Sequence, residues 1–362
     1  MIDQNAILEP HAQLYFADGD VVLAVKQALP HEDGRTRYQV FRVHKALLRL
    51  HSPVFANMFS DATPAQLHED APLVDMVGDE AAAFASLLMW IYFPSEVNIE
   101  RWNPDTPINI APTVRLATKY LIDSLRNHLV KRVVADWPCT LQEWDRQEAE
   151  ISAMANAGTT SGKPCSKLSR SVPEPVAAIA FALEFGCTEV LPAAFYTLSR
   201  IPINCDWDRA RPPGESSVRL ARWSMLESHN FIRFLRGCSA LDSYCERQRN
   251  PYLTPLLSVD CEAKEEDSED EDDEWFETPC RDYLAQLFDA IWTSTPLRDP
   301  LRSLKDLAEP ERFRSAIKKC PEGLCWPCQG KLRRWMVAER KREWAALVGY
   351  FELGDLCQPP AI

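Results

Sequence analysis

The residues best placed for chemistry are cysteines, and the only short cysteine motif in the 362-residue chain is Cys325-Trp326-Pro327-Cys328. Two thiolates separated by two residues can share one zinc ion, but a closed tetrahedral site needs two further ligands from elsewhere. Cys238 and Cys245 are the leading candidates, with Cys320 a nearer alternative. The expected set is therefore Cys238, Cys245, Cys325 and Cys328. Such a four-thiolate structural zinc site would clamp the late segment onto the middle of the chain and contribute folding energy. Redox use of the motif would require it to follow a strand and open a helix in an α/β fold, whereas Pro321 and Gly323 point to a turn. A plainer reading stays open: buried, reduced cysteines acting as small apolar residues. A chain of this length does not need its twelve cysteines as disulfide staples, and nothing in it signals an oxidising compartment.

Other chemistry is poorly represented. Phosphate loops, dinucleotide fingerprints, His-Glu-x-x-His and Gly-x-Ser-x-Gly are all missing, so no catalytic residue is expected and the chain reads as a non-enzyme. The seven histidines are scattered. His44, at a strand-to-helix junction beside Lys45, has no cysteine or acid at helical spacing to complete a site; it reads as a junction residue fixed by ring hydrogen bonds. Acids concentrate between Glu262 and Glu277, where eleven of them face one lysine, and the remainder of the chain carries only −3 of the net −13. This tract reads as a solvated, self-repelling insert that would repel nucleic acid and membrane surfaces. Within it, Ser268 precedes three acids and is a candidate phosphorylation site. Arg312 to Glu343 holds ten Lys or Arg against three acids, the one basic region. The acidic tract folding back to screen it, an ordinary solvated helix, and nucleic-acid contact are the three readings left open.

The elements that must position these groups fall into two sets. Strands are expected at Leu14–Phe16, Val21–Val25 and Tyr38–Val43, with a hairpin tip from Pro30 to Arg35. His44–Leu50 continues as a helix, and Ser52-Pro53 opens another, with Val54, Phe55, Met58 and Phe59 on one face. A short strand follows at Pro72–Val77. Asp79 and Glu80 open a helix with Phe84, Leu87, Leu88 and Ile91 inward, their charges suiting its dipole. Further helices are expected at Thr113–Tyr120 and Asp123–Val134. Beyond Trp137 the pattern is helical: a connecting helix with Leu141 and Trp144, a linker from Gly158 to Arg170, then Val176–Phe185, Glu189–Leu198, Arg219–Leu235, Arg281–Trp292, Arg302–Lys319 and Lys331–Val348. The fold class is α+β, with a short sheet packed by helices followed by a mainly α-helical domain. The longest nearly apolar run, Ala81 to Phe93, is 13 residues, against the roughly 20 that a membrane helix needs. Met1-Ile2-Asp3-Gln4 lacks a signal-peptide flank, so the expected location is intracellular, in cytoplasm or nucleus.

Residues 41 to 59, Phe-Arg-Val-His-Lys-Ala-Leu-Leu-Arg-Leu-His-Ser-Pro-Val-Phe-Ala-Asn-Met-Phe, resemble the signature of the BTB/POZ family. The matching positions are Phe41, Val43, His44, Lys45, Leu48, Ser52, Phe55, Met58 and Phe59, with Asp20-Val21-Val22-Leu23 similar to the family's early strand. The later chain, including Pro192–Tyr196 and Leu324-Cys325-x-x-Cys328, resembles a fungal, basidiomycete-type BTB group with a helical C-terminal half. The resemblance implies an N-terminal BTB/POZ-like domain at 12–136; the pattern of the residues adds a connecting helix and linker at 137–171 and a helical domain at 172–358 interrupted by the acidic insert at 262–277. It also implies protein partners, either a homodimer or a cullin-3 ubiquitin ligase. The adaptor branch uses a hydrophobic-x-Glu motif, to which Leu67-His68-Glu69 corresponds by position. Only about thirteen residues precede the first expected strand, which leaves little for the N-terminal helix that swaps in many family dimers. The leading expectation is a scaffold or adaptor that binds proteins, and the alternative is a nuclear, transcription-associated regulator with a basic C-terminal surface.

Overall fold

The computed structural model describes residues 2, 5–27, 35–61, 66–157, 168–209, 218–249, 261, 279–294, 299–308 and 323–356. The tip of the expected hairpin, the acidic tract with Ser268, Cys320 and most of the expected linker lie outside these residues. The chain divides into two compact units, Met1–Asp136 and Trp137–Ile362.

The first unit is built on strands β1 (Ile7–Tyr15), β2 (Val21–Lys26), β3 (Arg37–Val43), β4 (Leu67–His68) and β5 (Ala71–Asp75), ordered β1-β3-β2-β5-β4. Its helices are α1 (Lys45–His51), α2 (Pro53–Asp61), α3 (Ala81–Tyr92), α4 (Thr106–Lys119) and α5 (Asp123–Val134). The central strand β2 is apolar without alternation because both faces are covered. Val21, Leu23 and Val25 join Phe41, Leu48, Phe55, Phe84 and Leu87 in the main core, while Val22 and Ala24 pack with Tyr38, Val40 and Ala71 on the other face.

Two boundaries differ from expectation. Strand β1 starts at Ile7, not Leu14, and runs parallel to β3 at the sheet edge, where the missing N–H of Pro10 is tolerated. Helix α4 starts at Thr106 and carries Pro112 inside it. Pro112 reads as a breaker in sequence, yet the carbonyl it cannot reach belongs to Ile108 on the exposed side, where water can replace the lost bond.

Two polar residues lock the helices. Ser52 caps α2 by accepting from the Phe55 N–H (3.1 Å) and donates to the Tyr120 carbonyl (2.6 Å). Asp79 does not cap α3 as its acidic start suggested. Its carboxylate instead takes Lys119 at 2.5 Å and the Tyr120 hydroxyl, joining the end of α4 to the β5–α3 turn.

The second unit is helical: α6 (Leu141–Ala157), α7 (Pro175–Phe185), α8 (Leu191–Ser199), α9 (Ser228–Gln248), α10 (Pro279–Ser294), α11 (Pro300–Asp306) and α12 (Trp326–Tyr350). The expected connecting helix, α6, packs against α12 within this unit. The last residues of the expected linker, Leu168–Arg170, form a 3-10 turn with Leu168 and Ser169 buried. The helix expected from Arg219 begins only at Ser228, because Ala221 bridges to Asp206 and the Arg222 N–H donates to buried Glu174 (3.1 Å). That helix then runs on to Gln248. Gly237 on α9 is required by close approach, since a Cβ there would lie 2.0 Å from the ring of Phe351, which stacks on Phe195. Among the described residues no helix is long and apolar enough to cross a membrane.

Candidate metal centre

Four cysteines meet in the second unit: Cys261, Cys280, Cys325 and Cys328, with all four sulfurs within 4.8 Å of one another. None is in a disulfide; three are buried and Cys325 is half-buried. Cys325 is the N-cap of α12 and Cys328 lies in its first turn, with Pro327 at an early helical position where no N–H is needed. A helix N-terminus aims unsatisfied N–H groups and a positive dipole end at this point, which favours thiolate over thiol. Cys280 comes from the first turn of α10, and its sulfur accepts the Cys325 backbone N–H at 3.3 Å. Cys261 completes the group, 3.8 Å from the Cys325 sulfur. Burial pushes the Cys280 thiol up to about 12, and the N–H from Cys325 works in the opposite direction.

The set differs from the one expected from spacing alone. Cys325 and Cys328 are brought together with Cys261 and Cys280, and not with Cys238 and Cys245. Those two lie on α9 and line a cavity of about 790 Å³ with Trp223, Phe234, Asp242 and Trp292. Burial, with help from Asp242, raises the Cys245 thiol to about 12. Cys261 and Cys280 do carry a signal in the sequence, for they bracket the acidic tract on its two sides. An all-sulfur donor set in tetrahedral range suits a soft or borderline cation and does not suit magnesium or calcium.

Beyond its cysteines, α12 is held along its middle and later turns. Arg340 forms a two-pronged bond to Asp145 on α6 (2.9 and 2.7 Å) and donates to the Leu301 carbonyl (3.1 Å). Burial resists ionisation of Asp145, but Arg340 and Lys305 outweigh it and hold the carboxyl below its ordinary range. On the buried side of the same helix, Glu339 accepts from Tyr244 (3.1 Å) and Glu343 from Tyr350 (2.9 Å). Burial raises Glu343 to about 7, with the neighbouring Glu339 adding to the rise.

In the first unit, His44 is a junction residue. Its backbone N–H donates to the Tyr92 hydroxyl (2.8 Å), its Nδ1 lies 3.2 Å from that oxygen, and its Nε2 lies 3.3 Å from Asp18. Leu67 stands on the terminal strand β4 and is 66% exposed. Two residues on, Glu69 accepts from the Tyr15 hydroxyl (2.7 Å) and lies 3.5 Å from Arg42.

The sheet, its covering helices and this junction define the class of the first unit: residues 17–136 match the family model described as the BTB/POZ domain. The chain thus has an N-terminal BTB/POZ domain, generally a module for protein–protein interaction, followed by a helical region. No curated protein matches the chain.

Proposed function

We propose that this protein is a scaffold or adaptor that captures a partner protein through its BTB/POZ domain, with the helical unit offering a second surface and no turnover chemistry of its own. The observation that carries this reading is the match of residues 17–136 to an interaction module whose surface displays large apolar side chains. Leu50 and Val77 are each 77% exposed there, and Leu67 sits on the terminal strand. Isolated exposed apolar residues are common, but a terminal strand also presents unpaired backbone groups that a partner can use.

A cullin-3 ubiquitin ligase is the specific partner we put first, with Leu67-His68-Glu69 as the contact motif. The outward side chain of Leu67 supports it, and the ties from Tyr15 and Arg42 hold Glu69 in place. The helical half and its late Cys-x-x-Cys also agree with a fungal origin. Titrating the purified full chain with the N-terminal region of cullin-3, by calorimetry and size-exclusion light scattering, tests the assignment. We expect a one-to-one complex that Leu67→Asp weakens at least tenfold. Absence of binding by the wild-type chain rejects cullin-3, and absence of any partner dependent on residues 17–136 in cross-linking pull-downs rejects the adaptor reading. The nuclear-regulator reading rests on the basic late helix, where Arg333, Arg334 and Lys341 face outward. Two of its arginines are engaged within the chain, Arg340 with Asp145 and Arg342 with Glu339 at 2.9 Å, and this weighs against it.

A further inference from the structure

We propose that Cys261, Cys280, Cys325 and Cys328 bind one zinc ion as four thiolates, and that this ion fixes both ends of the acidic tract against the first turns of α10 and α12. The inference is independent of the adaptor reading. It rests first on geometry. With zinc–sulfur bonds of about 2.3 Å, the edge of a tetrahedral ZnS₄ site is about 3.8 Å. The Cys261 and Cys325 sulfurs are 3.8 Å apart, and all four sulfurs fall within 4.8 Å, so closing on an ion takes only small side-chain movements.

The surroundings agree with a closed structural site. Cys328, Cys280 and Cys261 are buried with Leu324 packed against them, and four thiolates fill a tetrahedral shell with no position for water or substrate. The Cys325 N–H already points at the Cys280 sulfur (3.3 Å), an outer bond that would hold the ligand in orientation and offset thiolate charge. Binding converts four thiols and Zn²⁺ into a Zn(SR)₄²⁻ centre with release of four protons, and no oxidant or reductant is needed.

Chain connectivity gives the site its consequence. Cys261 directly precedes the tract and Cys280 follows Glu277 by three residues, so the two ligands enclose residues 262–279. Eleven acids in that span repel one another, and their repulsion opposes bringing its ends together. Coordination supplies the opposing free energy.

The test uses the full-length chain purified without chelator. Elemental analysis should find one zinc per chain, and replacement by Co²⁺ should give the intense d–d and sulfur-to-cobalt charge-transfer bands of tetrahedral thiolate coordination. Cys261→Ser and Cys280→Ser should each weaken zinc at least tenfold in a competitive chelator titration, whereas Cys238→Ser and Cys245→Ser should leave one zinc bound. Removing the metal should raise amide hydrogen exchange at the first turns of α10 and α12 and leave α7 and α8 unchanged. Should a serine variant fail to fold, the wild-type cobalt spectrum with retention of metal in Cys245→Ser still decides. Absence of zinc together with absence of the tetrahedral cobalt spectrum overturns the proposal. So does iron in the site, or recovery of the four cysteines as disulfides from protein kept under reducing conditions. Unchanged exchange on metal removal overturns the anchoring of the tract.

Discussion

The two units are stabilised by different means. In the first, the interior is almost wholly apolar: Phe41, Leu48, Phe55, Phe84, Leu87 and Leu88 pack around β2, with rings stacked such as Phe55 on Tyr120 at 4.5 Å. Among its described residues the buried charges are few: Asp136, whose carboxylate accepts the Trp102 N–H at 3.1 Å, and the carboxylate of Asp79, whose side chain is 1% exposed beside Lys119. In the second, charge runs through the interior: Glu174, Arg222, Asp299, Glu339 and Glu343 are all buried. Its densest point is Arg200, which donates to Glu148 (2.6 Å), pairs with Asp299 (2.8 Å) and lies over the ring of Trp144. The Tyr196 hydroxyl also donates to Asp299 (2.6 Å). An apolar core tolerates error, because any side chain of suitable volume contributes. A buried ionic network does not, because one lost partner strands a charge in low dielectric.

That contrast can be broken or sharpened by substitution, with hydrogen exchange read separately in each unit. Phe55→Ala should have the largest effect, about 4 kcal/mol of lost protection confined to the first unit, since it removes a fully buried ring. Arg200→Met should cost about 3 kcal/mol in the second unit, because Glu148 and Asp299 lose their common partner. A neutral or stabilising result there would show that the helical unit does not depend on this network.

Glu343→Gln tests the sign of a buried charge. The folded state raises this carboxyl to about 7 from an ordinary 4.5, so between those values the native chain binds more protons than the unfolded one. Stability from this group is therefore full below about 4.5 and is lost as pH rises through about 7. The neutral glutamine should stabilise the chain by about 3 kcal/mol at pH 8 and by nothing at pH 4, read from denaturant midpoints at each pH. A gain that is the same at both pH values would remove titration as its cause. The smallest effect is expected for Ser52→Ala, about 1 kcal/mol, from loss of the α2 cap. An effect well above that would show that the bond to the Tyr120 carbonyl matters more than the cap.

The first unit was largely legible in the sequence because its determinants are local. The spacing of Val54, Phe55, Met58 and Phe59, the unbroken Val21–Val25 run and Ser52-Pro53 each specify an element from a few adjacent residues. Its misread edges, β1 and the start of α4, are places where the prolines Pro10 and Pro112 were tolerated by exposure, a property no local window contains. In the second unit, the start of α9 was misplaced because Arg222 gives its backbone to Glu174, a partner far away in sequence. The cysteine centre shows the same division. Cys325 and Cys328 announce themselves by spacing, but their companions could not be chosen by counting residues.

Sequence by itself determined most of the strands and helices, the presence of an interaction module, and that Cys325 and Cys328 are spaced to share a metal; that these two thiols open α12, where a turn was expected, came from the structure. Tertiary structure alone decided that Cys261 and Cys280 join them, that Arg340 meets Asp145, and that Arg200 is shared by two carboxylates. The reason is physical: periodicity encodes which face of an element is apolar, whereas a metal ligand set or an ion pair depends on where two remote backbones come to lie.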